Sequence, residues 1–147
     1  MTKLAIDMSS VMWTGLKGGV DPAAETVWFN NKQVKVNTAD YGYENVVGFL
    51  TQTLKDFKLC PMDMILVFEG LNSKGPRLAI DPAYKLRNDK CPAEYVHFQA
   101  LSDRLKDLFR GAGAIAVSQD YAEADDTLAY LAMHTKKDLI IVSSASA

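Results

Sequence analysis

Short apolar runs alternate with helical segments along this chain of 147 residues, and this alternation constrains the fold more than any other feature. Four runs are predicted to be strands: Leu4–Ile6, Met64–Phe68, Ala114–Val117 and Leu139–Val142. The first two are predicted to be buried. Strands that alternate with helices favour a mostly parallel sheet with helices on both faces. The sequence therefore predicts a three-layer α/β fold in one domain over residues 1–147.

Two long segments between these runs have helical periodicity. Caps at 37–40 predict a helix that extends to about Lys58, with its buried face formed by Val46, Leu50, Leu54 and Phe57. A second helix is predicted over 93–110, with Phe98, Leu101, Leu105 and Leu108 on its apolar face. Residues 15–21 are predicted to form a loop, and residues 26–36 a hairpin that turns at two asparagines.

Composition narrows the class of protein. The net charge of −2 neither indicates nor excludes a nucleic-acid partner, because local charge asymmetry matters more than the total. Cys60 and Cys91 have no metal-binding or redox spacing and are interpreted as free thiols of a reducing cytoplasm. No apolar run is long enough to span a membrane. We therefore expect a cytoplasmic protein with no membrane partner, whose oligomeric state the sequence does not predict.

Three carboxylates lie within four residues, at Glu123, Asp125 and Asp126, where a helix is predicted to begin. Acidic residues near a helix N-terminus are each favourable by about 0.3–1 kcal/mol. Two like charges about 6 Å apart cost on the order of 3 kcal/mol at an effective dielectric of about 20. The cluster is therefore either a cation site or a helix cap whose carboxylates spread into water.

Two further carboxylates directly follow predicted strands. Asp7 follows the first strand and Glu69 the second, although Asp7 is equally suited to cap a following turn. In open α/β sheets, ligands bind beyond the carboxyl ends of the strands. Five carboxylates around one cleft would hold Mg²⁺ or Mn²⁺, and two such ions about 4 Å apart support phosphodiester hydrolysis.

The segment 71–92 lacks periodicity and is rich in cations and proline. Its five cations are Lys74, Arg77, Lys85, Arg87 and Lys90, and Tyr84 lies between Arg77 and Lys85 in the sequence. Such a segment suits phosphate contacts and base stacking, and a solvated loop is the alternative.

These motifs resemble the 5′-nuclease superfamily: phage 5′–3′ exonucleases, the 5′-nuclease domain of bacterial DNA polymerase I, and flap endonucleases. Residues 4–10 are similar to the opening strand and its metal-binding Asp. Residues 67–70 resemble Phe-Asp-Gly with Glu in place of Asp, and residues 121–126 contain the Glu-Ala-Asp-Asp motif. Residues 77–87 resemble the Arg and the Tyr-Lys-x-x-Arg stretch that enters the helical arch, with the last gap one residue short.

The resemblance implies a PIN-like nuclease domain with a flexible, basic, arch-like segment around 71–92. It implies metal binding by Asp7, Glu69, Glu123, Asp125 and Asp126. It also implies catalytic contacts to the scissile phosphate by Lys85, Arg77 and Arg87, and nucleic-acid binding by Lys74, Tyr84 and Lys90. The implied activity is 5′–3′ exonuclease or flap-endonuclease hydrolysis of DNA that has a 5′ end or flap, with Mg²⁺ or Mn²⁺. A phage origin would place the protein in the host cytoplasm.

The end of the sequence departs from the family pattern. The family normally has an Asp-x-Asp pair after the fourth strand, and Ala145 and Ala147 occupy those places here. The family's helix–three-turn–helix region is also absent. We therefore expect a truncated and inactivated form with an impaired second metal site. The alternatives are a PIN-like ribonuclease and a degenerate, non-catalytic fold that binds nucleic acid or protein.

Overall fold

A computed structural model describes residues 2–70, 73, 75–81, 91–135 and 138–143. The elements in chain order are β1 (Thr2–Asp7), α1 (Met8–Lys17), β2 (Glu25–Phe29), β3 (Lys32–Val36), α2 (Ala39–Phe57), β4 (Met64–Val67), α3 (Gly75–Ile80), α4 (Pro92–Gly111), β5 (Ile115–Val117), α5 (Ala124–His134) and β6 (Asp138–Val142). None of the described helices is long and apolar enough to cross a membrane.

Four strands form one parallel sheet in the order β5-β4-β1-β6. Strand β1 lies in the middle, with Leu4 paired to Met64 of β4 and to Ile140 of β6. All four strands therefore end on the same side of the sheet, at Asp7, Val67, Val117 and Val142, and we call this side the carboxyl edge. The predicted parallel sheet is confirmed.

Helices cover both faces of this sheet. Leu4 and Ile6 belong to the core formed with α1, α2 and α4, whereas Ala5 belongs to a smaller core with Leu128 of α5. Alternate residues of a strand point to opposite faces, so Asp7 falls on the same side as Ala5. The predicted three-layer α/β fold is confirmed, and its geometry directs Asp7 towards α5.

Helix α1 includes residues that the sequence predicted to be a loop. That prediction is wrong for Gly15, Leu16 and Lys17, which form the last turn of the helix. Burial of Met8, Val11, Met12, Gly15 and Leu16 follows helical spacing. A Cβ at Gly15 would lie 2.7 Å from Cγ2 of Val46, so glycine permits α1 to pack closely against α2.

Both long helices form where they were predicted, but each buries a slightly different face. Phe57 and Leu108 are exposed, which corrects their assignment to the core. Phe57 ends α2 just before Lys58, which turns the chain with a φ of 56°. In α4 the buried stripe follows steps of four residues through Leu101, Leu105 and Phe109, and this stripe bypasses Leu108.

The cation-rich segment contains the short helix α3. The predicted absence of periodic structure is therefore wrong for Gly75–Ile80. Pro76 stands in the first turn, where its missing N–H costs no intrahelical hydrogen bond, and six residues are too few to show periodicity in sequence. Residues 71, 72, 74 and 82–90 lie outside the described residues.

Strands β2 and β3 form a separate two-stranded antiparallel sheet, as predicted. Asn30 and Asn31 have φ values of 51° and 61° and connect Phe29 to Lys32. Positive φ at both central residues is the geometry of a two-residue type I′ turn, which asparagine tolerates.

Gly70 lies where the segment after β4 passes the loop after β5. Its N–H donates to the carbonyl oxygen of Ala122 at 3.1 Å. A Cβ at this position would lie 1.8 Å from the carbonyl oxygen of Gln119. The chain therefore requires glycine for this approach, which joins the Glu69 segment to the loop that leads to α5.

We expect Gly70→Ala to lower the free energy of unfolding by at least about 2 kcal/mol, because the added methyl group overlaps backbone atoms that cannot rotate away. Gly48→Ala is the matched control, since an added Cβ there meets nothing within 4 Å. It should stabilise α2 by about 0.5–1 kcal/mol. Urea unfolding measures both, and equal effects of the two substitutions would contradict this account of Gly70.

Candidate functional site

Asp7 is a buried, hydrogen-bonded carboxylate at the carboxyl edge. It ends β1, caps α1 and is only 7% exposed. Its Oδ1 accepts the backbone N–H of Ser10 at 3.3 Å, and its Oδ2 accepts the hydroxyl of Ser143 at 3.4 Å. The two serine hydroxyls also lie 3.3 Å apart. The carboxylate is therefore held in place by groups from α1 and from the end of β6.

The pKa of Asp7 is raised above its ordinary value. Burial is the largest cause; the Ser10 N–H opposes it, and the negative charge of Asp125 raises the pKa further. The Ser143 hydroxyl also favours the ionised form. Asp125 therefore lies close enough to Asp7 for the two carboxylates to repel each other. The end of β1 and the acidic start of α5 are therefore close at this pair, and a metal-binding role for the pair stays a prediction.

The three carboxylates at the acidic start of α5, residues 123–126, have different surroundings and different roles. Glu123 is the N-cap residue and is 2% exposed, at the helix end where the dipole favours a negative group. Oδ2 of Asp126 accepts the backbone N–H of Glu123 at 3.1 Å. The cap interpretation thus describes Glu123 and Asp126, whereas the exposed Asp125 acts electrostatically on Asp7.

Glu69 lies in a cleft next to this edge. It follows Phe68, whose N–H donates to the carbonyl oxygen of Val117 at 2.9 Å. The side chain is exposed, and it lines a cleft of ≈ 710 Å³ together with Ser9 and Asp120. Ser9 is two residues from Asp7, but neither Asp7 nor Asp125 lines this cleft.

Aromatic rings and one ammonium group also line this cleft. The ring of Trp13 on α1 stacks on Phe98 of α4, with centroids 4.3 Å apart, and meets Tyr95 edge-on at 5.5 Å. Nζ of Lys106 lies 4.7 Å from the centre of the Phe68 ring. The cleft can therefore accept a flat apolar group on its aromatic side and an anionic group beside Lys106.

Sequence reasoning missed Asp120, Trp13, Tyr95 and Lys106. Asp120 follows β5 by three positions, so a rule extended to the first few residues after each strand would have found it. Trp13 and Lys106 carry no such signal, because only the packing of α1 against α4 brings them to one cleft.

Within the described residues, no three His, Cys, Asp or Glu side chains are grouped as a metal site. The metal-ligand set stays a prediction, as do the catalytic and nucleic-acid roles in the cationic segment. Lys74, Tyr84, Lys85, Arg87 and Lys90 lie outside the described residues, and only the backbone of Arg77 is described, within α3.

Comparisons of this chain with protein-family models, with curated proteins and with solved structures gave no match. The likeness to 5′-nucleases is therefore carried by the residues of the motifs alone.

We expect Asp7→Asn to raise the stability of the metal-free protein at pH 7. The folded state binds the Asp7 proton more tightly than the unfolded chain does, so this carboxyl lowers stability as pH rises from the ordinary carboxyl range to its raised pKa. Asparagine removes the charge and still caps α1.

Urea unfolding in EDTA measures this effect. The increase in the free energy of unfolding caused by Asp7→Asn should be full at pH 7. It should nearly vanish at about pH 3, where the Asp7 carboxyl of the parent is protonated in both the folded and the unfolded state. Asp107→Asn, on the exposed side of α4, is the control and should leave stability nearly unchanged. A destabilising effect of Asp7→Asn at pH 7 would show that burial and Asp125 do not dominate its environment.

Proposed function

We propose that this chain is a nuclease domain of the 5′-nuclease type that uses a divalent metal ion to hydrolyse nucleic-acid phosphodiesters. The observation that carries the proposal is the buried Asp7 carboxylate, which lies within electrostatic reach of Asp125 at the carboxyl edge. Burying one carboxylate beside another costs free energy unless a cation compensates. Because the fold keeps the two carboxylates close despite this cost, we infer that a positively charged ligand binds there.

The chemistry of the donors fits a hard divalent cation. Asp7 and Asp125 offer carboxylate oxygens, the type of ligand that Mg²⁺ and Mn²⁺ prefer. The resemblance adds Glu69, Glu123 and Asp126 to this set. When bound, the metal would activate a water molecule and stabilise the negative charge that develops on the phosphate.

The protein's own groups supply binding and orientation. Ser10 and Ser143 fix the direction of the Asp7 carboxylate through hydrogen bonds at 3.3 and 3.4 Å. Lys106 places a positive charge in the cleft that Glu69 lines, where it would attract a phosphate. Tyr95 and Trp13 offer aromatic surface for a base on the same side. These features suit a single nucleotide unit held beside the carboxyl edge.

A non-catalytic nucleic-acid-binding domain is the second candidate. It is favoured by Ala145 and Ala147, which stand where the family has two acids. It is also favoured by the use of Asp126 as a helix cap. In this case the cleft would bind nucleic acid without a metal-dependent reaction.

Calorimetry with Mn²⁺ separates the two candidates. We expect the parent chain to bind Mn²⁺ at or below millimolar concentration. Asp7→Asn should weaken this affinity at least about tenfold, because losing even a residue that only hydrogen-bonds to a metal ligand typically weakens metal binding by about that factor. Asp107→Asn should bind as the parent does. The absence of any heat of binding at millimolar Mn²⁺ would support the non-catalytic candidate instead.

Restoring the acids at the end of the sequence tests the predicted impairment. We expect Ala145→Asp combined with Ala147→Asp to increase cleavage of a 5′-labelled DNA flap by at least about tenfold, equivalent to about 1.4 kcal/mol of transition-state stabilisation. Adding Asp125→Asn to this double variant is the control and should abolish the gain. Equal rates for the parent and the double variant would falsify the idea that these alanines limit activity. An RNA of the same length tests substrate class.

A further inference from the structure

The hairpin of β2 and β3 is anchored at its base by polar contacts. Oδ2 of Asp21 accepts the backbone N–H of Thr38 at 2.9 Å, and its Oδ1 accepts the N–H of Ala23 at 2.8 Å. The amide of Asn37 donates to the carbonyl oxygen of Leu16 at 2.6 Å. These contacts fix both strands of the hairpin where they leave the body of the domain.

One face of the hairpin is turned towards α4. Oε2 of Glu25 lies 3.5 Å from Nε2 of His97, and Nδ1 of the same ring accepts the N–H of Ala39 at 3.2 Å. Residues on the Glu25 side also include Val34 and the buried Val36. This inner face is therefore occupied by contacts with the domain.

The opposite side, which we call the outer face, faces solvent. Cross-strand pairing places Thr26 beside Lys35 and Trp28 beside Gln33, and all four side chains are exposed. Trp28 is 73% exposed, although an indole is among the most favourable side chains to bury. The outer face thus presents one large aromatic ring among polar side chains.

The charge around this ring is positive. Residues 26–39 contain Lys32 and Lys35 and no Asp or Glu, in a chain whose net charge is −2. Lys35 also borders a small pocket of ≈ 200 Å³, in which Nζ of Lys17 lies 3.2 Å from Oε2 of Glu94. The outer-face residues Thr26, Trp28, Gln33 and Lys35 include a lysine and no carboxylate. Such a face with an exposed indole is complementary to a phosphate backbone with accessible bases.

We propose that the outer face of the hairpin is a second nucleic-acid contact, which binds single-stranded nucleic acid outside the carboxyl edge. Trp28 stacks on a base, and Lys35, on the same face, pairs with a phosphate. The inference rests on the proposed function for its substrate class. It adds a binding surface on the hairpin of β2 and β3. The acidic and cationic motifs of the sequence do not indicate this surface.

The test is binding of a fluorescein-labelled single-stranded DNA in EDTA, measured by anisotropy. Trp28→Ala should weaken binding about 5- to 100-fold, since a stacked base contributes about 1–3 kcal/mol. Lys35→Ala should reduce the slope of log affinity against log salt by about 0.7. Lys55→Ala, an exposed lysine on α2, is the control and should bind within about twofold of the parent.

Two further measurements distinguish base stacking by Trp28 from a loss of folding and from membrane binding. The melting temperature of Trp28→Ala should match that of the parent, because the side chain is exposed and its loss leaves no cavity. In a Trp13→Phe background, where Trp28 is the only indole, its emission should change with the DNA and not with phosphatidylserine vesicles. The reverse pattern would assign the outer face to a membrane surface and overturn the inference.

Failure of the inference is distinguishable from failure of the proposed function. If the parent binds DNA and both Trp28→Ala and Lys35→Ala bind equally well, the outer face is not a contact and the nuclease proposal stands. If the parent binds neither DNA nor RNA and shows no Mn²⁺ binding, both fail.

Discussion

Parallel pairing of β1 with β4 and β6 is the constraint on which the rest of the structure depends. Leu4 and Ile6 fill the larger core, and Ala5 fills the smaller one, so β1 is buried on both faces. The residue that ends such a strand therefore lies at the edge of the sheet. Asp7 is that residue: it ends β1, so the burial of Leu4, Ala5 and Ile6 sets where its backbone lies.

The same packing creates a conflict between folding and charge. Asp7 would be more stable as a neutral group, because it is buried and because Asp125 lies nearby. The hydrogen bonds from Ser10 and Ser143 offset part of this cost and also restrict the direction of the carboxylate. A divalent cation would remove the remaining repulsion. The local instability of the metal-free edge is therefore linked to the function proposed for it.

Much of the fold follows from sequence, because strand burial and helix caps are local properties. The four strands, the two long helices and the Asn30–Asn31 turn were all predictable in this way. Helix α1 was missed although its buried spacing is visible, since Gly15 was interpreted as a loop residue. The proximity of Asp7 and Asp125 could be predicted because the carboxyl ends of parallel strands lie at the same edge of a sheet. The cleft of Trp13, Tyr95 and Lys106 could not be predicted, because it depends on how α1 and α4 pack.

Paramagnetic broadening of backbone amide signals by Mn²⁺ tests the central claim most directly. The account predicts selective loss of signal at residues around the carboxyl edge, first at Ser10, Asp125 and Ser143, with the hairpin at Trp28 unaffected. The same titration of Asp7→Asn should show much weaker broadening at these positions. Broadening centred on another surface, or an identical pattern in Asp7→Asn, would contradict a metal site built on Asp7.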